Sequence, residues 1–178
     1  MLMEYVHTNP KYFIRYHASD IILKVFSDAA FIVLRQSRSR SFDIYNLGRK
    51  DNKKQNGPID VLYQTIKNVV ASASEAESGG VHLGARHGYP LRIACIELRH
   101  TQPEKYTPFE TENRTTHGIL TSSMRTKLLK SFDMRYWWIK DRIQQNMFDL
   151  ILASGKKNVA DYFTKHHPPW YHKRMIRI

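Results

Sequence analysis

The sequence has few of the features that mark secreted and membrane proteins. Its 178 residues include one cysteine, Cys95, which excludes an intramolecular disulfide and a cysteine-rich zinc site. There is no run of about 18 apolar residues, the length that a membrane span requires. Residues 1–17 also lack the continuous apolar core and the small-residue cleavage site of a secretory signal. We therefore expect an intracellular protein, cytoplasmic or nuclear, without a membrane partner.

Acidic residues are also scarce relative to basic ones. Lys and Arg total 28 against 16 Asp and Glu, which gives a formal charge of +12 and an isoelectric point near 9.9. Net charge carries information about partners rather than about fold. A polyanion is the expected partner, and nucleic acid is favoured over a membrane surface because the basic residues do not line one face of a long amphipathic helix.

No low-complexity linker divides the chain, and its length suits one domain with a substantial core. We predict an N-terminal connector at residues 1–17, a single domain at 18–166 and a basic tail at 167–178. Two adjacent prolines lie in the tail, which is therefore expected to be extended.

Three consecutive strands are predicted in the first 66 residues. They span residues 21–27, 42–47 and 59–66. The first strand is apolar enough to be covered on both faces, which indicates a central position in a sheet, and Asp28 closes it. An apolar run at 31–34 and an arginine-rich turn at 35–40 follow, and a basic loop at 48–57 joins the other two strands. The three strands are expected to form an antiparallel meander.

Helices and strands alternate after residue 66. A capping box predicts the first helix, in which Ser74 caps the N-terminus and Glu77 returns a bond to the backbone of that serine. Two adjacent glycines lie inside this helix and weaken it, at about 1 kcal/mol each relative to alanine. The helix is expected to run towards Arg86, and a second helical segment spans residues 91–99 after an interruption by glycine and proline.

Two more strands and three more helices complete the chain. The strands are predicted at residues 109–113 and 147–153, and the helices from Thr115, at 130–145 and from about Val159. The helix at 130–145 has the clearest apolar periodicity, and its residues Trp137 and Trp138 are expected to pack in the core. Asn158 is expected to cap the last helix, which places Asp161 in the first turn.

Three of the acidic residues have a structural explanation beside a functional one. Asp28 precedes small residues and can begin a turn by bonding nearby backbone N–H groups. Glu77 can serve the helix cap alone, and Asp161 suits the positive end of a helix dipole whether or not it has other work. The sequence pattern leaves both explanations open.

The tail contains three histidines, His166, His167 and His172. A zinc site is one interpretation of them. Adjacent histidines do not easily reach one tetrahedral ion, however, and no cysteine lies near. We interpret these histidines as part of the tail.

The order of elements is three strands, helix, strand, helix, strand, helix. Acidic residues lie at the end of the first strand, in the first helix, at the end of the fourth strand and in the last helix. This arrangement resembles the ribonuclease H fold. The resemblance implies an α/β three-layer architecture with a mixed five-stranded sheet and helices on both faces.

The sequence blocks resemble one branch in particular, the ribonuclease H domain at the end of the polyprotein of copia-type retrotransposons. The blocks are residues 27–29 (Ser-Asp-Ala), 74–77 (Ser-Glu-Ala-Glu) and 158–165 (Asn-Val-Ala-Asp-Tyr-Phe-Thr-Lys). Residues 132–135 (Phe-Asp-Met-Arg) are similar to the segment that opens the penultimate helix of the family. The blocks occur in the family's order and at fitting separations over about residues 15–170.

This resemblance implies metal-dependent endonucleolytic hydrolysis of the RNA strand of RNA/DNA hybrids during reverse transcription. The ligands implied for two Mg2+ ions, with Mn2+ as a substitute, are Asp28, Glu77, Glu112 and Asp161. Asp28 would bridge both ions, Glu77 and Glu112 would hold one side, and Asp161 would hold the other. Glu75 is the alternative to Glu77. The implied partners are the RNA/DNA hybrid and the reverse transcriptase domain of the same polyprotein.

The chain departs from the family at Glu112-Asn113, where the family has Asp-Asn. The longer side chain moves the carboxylate by about one methylene, and Mg2+ requires near-ideal octahedral geometry. Glycines that the family places around residues 42–43 are also absent. The alternative function is therefore a catalytically decayed, basic nucleic-acid-binding remnant or scaffold of the same polyprotein, and dependence on Mg2+ separates the two.

Overall fold

The computed structural model describes residues 2–11, 13–50, 56–103, 107–121, 134–154, 158–165 and 167–175. The helices and strands are α1 (Leu2–Thr8), β1 (Ile22–Leu34), a 3-10 turn (Arg35–Ser37), β2 (Arg38–Gly48), β3 (Pro58–Ile66), α2 (Ala73–Glu97), β4 (Thr107–Thr111), α3 (Arg114–Leu120), α4 (Met134–Gln144), β5 (Phe148–Leu152), α5 (Asp161–Thr164) and α6 (Pro169–Met175). Among these helices, none has the length and apolar character needed to cross a membrane.

The five strands form one mixed sheet in the order β3-β2-β1-β4-β5. β1 pairs antiparallel with β2, and β2 pairs antiparallel with β3. On its other side β1 pairs parallel with β4, and β4 pairs parallel with β5. The predicted meander and the mixed five-stranded sheet are therefore confirmed.

Consecutive side chains of the central strands face opposite sides of the sheet. Val25 and Tyr45 are fully buried in the larger core, which also includes residues from α2, α3 and α4. Phe26 and Ile44 are buried on the other face, in a smaller cluster with Ala160 just before α5. Helices thus cover both faces, as the fold prediction requires.

The first strand is longer than predicted. β1 does not end at Asp28 but continues to Leu34, with a register irregularity between Ala30 and Leu34. Asp28 pairs with Phe42 of β2 and is 2% exposed, so it is not a turn residue. β2 begins at Arg38 rather than at residue 42, because the arginine-rich turn occupies only three residues. The apolar run predicted the position of the strand, but pairing with β2 extends the strand beyond this run.

The first large helix also differs from the prediction. α2 is one helix of 25 residues that contains Pro90, rather than two segments. A proline removes one intrahelical hydrogen bond, to the carbonyl four residues earlier. That carbonyl belongs to Arg86, and both Arg86 and Pro90 are exposed, so the unpaired carbonyl lies on the solvent side of the helix. The N-cap is Ser72, whose hydroxyl accepts from the Glu75 N–H at 3.2 Å, rather than Ser74.

Glycines let α2 approach the sheet closely. Gly80, Gly84 and Gly88 recur every four residues and so share one helix face, and all three are buried. A Cβ atom at Gly84 would lie 2.9 Å from Asp43 Cγ and 3.0 Å from Phe109 Cζ. The glycine interpreted from sequence as a weakness at residue 80 belongs to this contact face, since its Cβ would lie 3.1 Å from the Ser41 hydroxyl.

The remaining strands and helices are of the predicted type, but several begin or end at other residues than predicted. β4 spans 107–111 rather than 109–113, and Asn113 instead caps α3 by accepting from the Thr116 N–H at 2.9 Å. β5 lies inside the predicted range 147–153. The first residues of the predicted helix at 130–145, and residues 51–55 of the basic loop at 48–57, lie outside the described residues.

The end of the chain is helical where an extended tail was predicted. α6 begins at Pro169, where a proline is tolerated because the first turn of a helix leaves its N–H groups without intrahelical partners. Backbone N–H groups of Tyr171 and His172 both bond to the Pro168 carbonyl, at 2.9 and 3.3 Å. The proline pair therefore starts a helix instead of preventing one.

Candidate metal centre

Three of the four acidic residues selected from the sequence meet at one site. Asp28, Glu112 and Asp161 each offer one carboxylate oxygen, and these oxygens all lie within 4.8 Å of one another. Asp28 is buried, whereas Glu112 and Asp161 are half-buried. In the described part of the chain this is the one group of three or more histidine, cysteine or acidic side chains with such spacing.

The topology of the sheet brings these residues together. Phe26 of β1 lies opposite Glu110 of β4, and the two strands are parallel. Asp28 and Glu112 each follow these paired residues by two positions. β4 ends at Thr111 whereas β1 continues to Leu34, so the site lies beside β1 at the carboxyl end of β4. Residues separated by more than 80 positions are neighbours there because the two strands run in the same direction.

The third carboxylate comes from α5, which is tied to β1 by side-chain hydrogen bonds. Asn158 donates through Nδ2 to the Ser27 carbonyl at 2.9 Å and accepts through Oδ1 from the Ala160 N–H at 3.1 Å. Asn158 was predicted to cap the last helix, but α5 begins at Asp161, and the asparagine instead fastens the preceding turn to the strand. Asp161 does lie in the first turn, as predicted.

Asp28 is held in a defined orientation. The Thr164 hydroxyl donates to Asp28 Oδ2. Burial raises the pKa of Asp28 above its ordinary value, and the charge of Asp161 adds to this, whereas the Thr164 hydrogen bond and the charge of Lys165 oppose it. A nearby cation would favour the ionised form of this buried carboxyl group.

Glu112 faces the same electrostatic environment. Burial raises the pKa of Glu112 above its ordinary value, and the charges of Asp28 and Asp161 raise it further. Lys165 acts in the other direction, with its Nζ 3.3 Å from Glu112 Oε1 and in contact with Asp161 Oδ1. The crowding of like charges means that the site favours a bound cation over free carboxylates.

Glu77 lies beside this group but is not part of it. It is 3% exposed, and both of its oxygens accept hydrogen bonds from the protein, Oε2 from the Ala29 N–H at 3.0 Å and Oε1 from the Thr111 hydroxyl at 2.6 Å. Burial raises the pKa of Glu77 to about 8, and the charges of Asp28 and Glu112 contribute to the rise. The side chain thus links β1 and β4 directly behind the three converging carboxylates.

Glu75 serves the helix terminus instead. Its Oε2 accepts from the Ala71 N–H at 2.8 Å, next to the capping serine, Ser72. Glu75 thus takes the capping position expected of Glu77, two residues earlier, but it bonds the N–H of the residue before the cap rather than that of the capping serine itself. The capping role therefore belongs to Glu75, and Glu77 is turned towards the sheet.

A further buried acid lies behind the site. Asp43 on β2 is fully buried and stands directly opposite Ser27, on the face covered by α2. Burial raises the pKa of Asp43 to about 7, with a smaller contribution from Asp28, while the hydroxyls of Ser27 and Ser41 lower it. Ser41 donates to Asp43 Oδ2 at 3.0 Å. Asp43 was not among the candidate residues from the sequence. It lies two residues before Tyr45 on β2 and therefore on the same buried face of the sheet.

Two other residues of the site could have been selected from the sequence. Thr164 and Lys165 follow Asp161 at three and four residues, the spacing of neighbours on one helix face. Both side chains reach the carboxylates, Thr164 at Asp28 and Lys165 at Asp161 and Glu112. The blocks that suggested the family contained these residues, but only the helix spacing gives them a physical role.

The tail histidines form aromatic contacts. His167 stacks on Tyr162 and on Tyr171, with centroids 5.0 and 4.4 Å apart, and His172 contacts the Tyr162 hydroxyl. His166 lies outside the described residues. Within them, neither His167 nor His172 belongs to a group with metal-ligand spacing.

The chemistry of the three converging groups suits a hard divalent cation. All three donors are carboxylate oxygens, which Mg2+, Mn2+ and Ca2+ prefer over nitrogen or sulfur. The raised pKa values of Asp28 and Glu112 follow from burial and from mutual repulsion, and a divalent cation would relieve both. The residues present therefore fit a metal ion.

No protein-family model matches the chain, and no curated protein is significantly similar to it in sequence. Solved structures do resemble it. They include LC11-RNase H1, isolated from compost by a metagenomic approach, with a TM-score of 0.56 and 9% sequence identity over 80% of this chain and 91% of that one.

Two further similar structures are the N-terminal RNase H domain of a Mycobacterium tuberculosis protein and RNase H1 from Halobacterium salinarum. The first has a TM-score of 0.48 and 10% identity over 81% of this chain and 91% of that one. The second has a TM-score of 0.47 and 12% identity over 80% of this chain and 92% of that one. At such identities the likeness concerns the fold, and the sheet order together with the overlap with LC11-RNase H1 shows that this chain has the ribonuclease H fold.

Proposed function

We propose that this protein is a ribonuclease H that hydrolyses the RNA strand of RNA/DNA hybrids and uses Mg2+, with Mn2+ as a substitute. The observation that carries the proposal is the convergence of Asp28, Glu112 and Asp161 within 4.8 Å at the edge of a ribonuclease H-fold sheet. The net charge of +12 supports a polyanionic substrate.

The carboxylates hold and orient the cofactor in this proposal. Asp28 is the central ligand, since it is the most buried of the three and is fixed by the Thr164 hydroxyl. Glu112 would bind metal on one side of Asp28, and Asp161 would bind metal on the other side. Two bound Mg2+ ions supply the charge that activates water and stabilises the leaving 3′ oxygen.

Glu77 completes the proposed ligand set. It is assigned in preference to Glu75, because Glu75 bonds the helix terminus whereas Glu77 interacts electrostatically with Asp28 and Glu112. Each Glu77 oxygen accepts one hydrogen bond and keeps a second lone pair that could bind an ion.

The chain's basic residues bind the phosphates of the hybrid without regard to sequence. Discrimination of the RNA strand rests on the 2′-hydroxyl, which a wide and shallow minor groove displays to the protein. We assign the catalytic domain to residues 18–166, with a connector at 1–17 and a basic tail at 167–178. The sequence blocks further support a place beside the reverse transcriptase of a copia-type retrotransposon polyprotein.

The direct test is cleavage of a hybrid with a labelled RNA strand, with Mg2+ and with EDTA. We expect Mg2+-dependent cleavage by the unaltered protein and a loss of at least about a hundredfold in Asp28→Asn, since even outer-shell changes at metal sites cost 10- to 100-fold. Asp149→Asn, a change at an exposed aspartate of β5, is the matched control.

Binding separates loss of chemistry from loss of fold. Asp28→Asn should bind the hybrid in EDTA as tightly as the unaltered protein or more tightly, because one negative charge near the phosphates is removed. Equal loss of binding and cleavage would indicate misfolding. Tight binding without cleavage by the unaltered protein in either Mg2+ or Mn2+ would contradict the enzyme and support the basic binding remnant.

A further inference from the structure

The ammonium group of Lys165 lies among the proposed metal ligands. Its Nζ is 3.3 Å from Glu112 Oε1 and contacts Asp161 Oδ1. Burial lowers the pKa of Lys165, but the hydrogen bond to Asp161 and the charges of Glu112, Asp161 and Asp28 outweigh this and raise it. One positive charge thus interacts with all three carboxylates that converge at the site.

The position of this ammonium follows from the fold. Lys165 comes directly after α5, four residues from Asp161, so the two side chains are neighbours on one side of the turn. Glu112 reaches the same ammonium from the end of β4. The Lys165 side chain remains about half exposed, at 53%, so its stem is free to carry the charged end into solvent.

We propose that Lys165 is an internal counter-cation that competes with the divalent metal for the oxygens of Glu112 and Asp161 and thereby sets the metal affinity of the site. This inference rests on the proposed function. An ammonium is a donor of three hydrogen bonds, so each bond to a carboxylate oxygen occupies a lone pair that a metal ion requires. Its charge also repels a divalent cation at the same oxygens.

Metal binding therefore requires Lys165 to leave. Because the side chain is half exposed, the ion pairs that it gives up are partly screened by water, and exposed pairs contribute little each. The lysine thus lowers metal affinity without preventing binding. In the metal-free protein it reduces the repulsion among Asp28, Glu112 and Asp161, which are otherwise crowded at the sheet edge.

The test is Mn2+ binding to the protein without nucleic acid, measured by isothermal titration calorimetry. We expect Lys165→Met to lower the Kd for Mn2+ by about threefold to tenfold, the range that two weak ion pairs allow. Lys165→Arg keeps the charge and should not tighten binding. Lys165→Gln, which keeps a hydrogen-bond donor and removes the charge, should behave like Lys165→Met and covers the case in which the methionine variant does not fold.

Lys24→Met is the matched control. Lys24 lies on β1 four residues before Asp28, about 13 Å away along an extended strand, which exceeds the Debye length of about 10 Å at 0.1 M salt. This variant should bind Mn2+ as the unaltered protein does. A second measurement is the Tm in EDTA, which should fall in Lys165→Met and rise by a larger increment on addition of Mn2+ than in the unaltered protein.

The outcomes distinguish this inference from the proposed function. If the unaltered protein binds Mn2+, Asp28→Asn abolishes binding, and Lys165→Met binds no more tightly, then the metal centre stands and the role of Lys165 is refuted. Weaker Mn2+ binding by Lys165→Met would refute it too, since it would make the lysine a support of the site. If neither the unaltered protein nor Lys165→Met binds Mn2+, the metal centre itself fails, and this inference fails with it.

Discussion

Three buried carboxyl groups lie near one another, two of them in the middle of β1 and β2 and the third on α2. Asp28, Asp43 and Glu77 are each at most 3% exposed, and burial raises the pKa of all three. A buried acid opposes folding when it is ionised, unless a cation or hydrogen bonds compensate. Asp28 and Glu77 have a proposed function that explains them, whereas Asp43 accepts a hydrogen bond from the Ser41 hydroxyl at Oδ2 and has no hydrogen-bond partner at Oδ1 among the described residues.

Glu112 is the residue at which the chain departs from the family it resembles. We expect Glu112→Asp to raise the rate of hybrid cleavage in Mg2+ by about fivefold, which corresponds to about 1 kcal/mol in the activation free energy. The physical reason is that the shorter side chain restores the ligand geometry of the family, and Mg2+ tolerates misplaced ligands poorly. Initial rates of single-turnover cleavage measure this.

The same comparison in Mn2+ provides the control. Manganese accepts less ideal coordination, so the advantage of Glu112→Asp should shrink when Mn2+ replaces Mg2+. An equal advantage in both ions would point to the lost Lys165 contact rather than to metal geometry. If Glu112→Asp is inactive in both ions and Asp28→Asn changes nothing, the active-enzyme proposal is wrong.

Asp43 should make stability depend on pH. Its pKa is raised from 3.8 to about 7 in the folded protein, so between these values the folded state binds a proton that the unfolded state has released. The free energy of unfolding must therefore fall as pH rises from about 4 to about 7. Asp43→Asn cannot ionise and should be more stable than the unaltered protein at pH 8, on the order of 2 kcal/mol, with little difference at pH 4.

Urea denaturation at pH 4, 6 and 8 measures this dependence. Glu77, whose pKa is raised to about 8, contributes a similar pH dependence to the free energy of unfolding of both proteins and does not affect the comparison. Asp149→Asn, at an exposed position of β5, controls for the chemical change. A pH profile of Asp43→Asn parallel to that of the unaltered protein would contradict the assignment.

At the scale of elements, α2 is the part on which the site depends most. It packs against β1 and β2, supplies Glu77 from its first turns, and approaches the sheet through Gly80, Gly84 and Gly88. The close approach brings the Glu77 carboxylate to the Ala29 N–H. Any side chain that separates helix and sheet therefore disturbs the core and the site together.

A pair of glycine substitutions tests this packing. Gly84→Ala should destabilise the fold by about 1–3 kcal/mol, because its Cβ would overlap Asp43 and Phe109 in a filled core. Gly79→Ala is the matched control in the same helix. Its Cβ would lie 3.3 Å from the Ile66 Cγ2 methyl group, and the gain in helix propensity of about 1 kcal/mol offsets that contact. Thermal denaturation of both variants should show a lower Tm for Gly84→Ala alone, and equal Tm values would refute the close approach.

At the scale of the whole molecule, the chain combines an excess of positive charge with a small acidic centre. It carries +12 overall, while the candidate metal centre brings Asp28, Glu112 and Asp161 within 4.8 Å of one another. In the proposed function the two features have separate tasks, since basic residues would attract the phosphate backbone at long range and acidic residues would hold the metal at short range. Binding and chemistry are therefore expected to respond differently to salt and to metal.

Hybrid binding should weaken steeply with salt. We expect the Kd for an RNA/DNA hybrid in EDTA to rise at least about tenfold between 50 and 200 mM KCl, since each neutralised phosphate releases condensed counterions. Fluorescence anisotropy with a labelled hybrid measures this. A salt-independent Kd would exclude phosphate contacts as the source of binding.

The class of fold and the elements that carry the site were predictable from the sequence alone. The apolar run at 21–27, the alternation at 59–66 and the helical period at 130–145 are local patterns of apolar residues, which can be read from the sequence without knowledge of the fold. Asp28, Glu112 and Asp161 were selected because each follows or begins such an element in the order of a known family. Which carboxylate caps α2 could not be decided in this way, because Ser72 and Ser74 are both followed three residues later by glutamate.

The tertiary structure decided the features that depend on a neighbour in space. β1 extends past Asp28 because β2 pairs with it, and Pro90 stays within α2 because the carbonyl that it leaves unpaired lies on the exposed side. Lys165 meets Glu112, 53 positions away, because the turn before α5 is hydrogen-bonded to β1 and β1 lies beside β4. Asp43 is buried because Gly84 leaves room for it. Such contacts arise from the packing of distant segments, and no local pattern of residues encodes them.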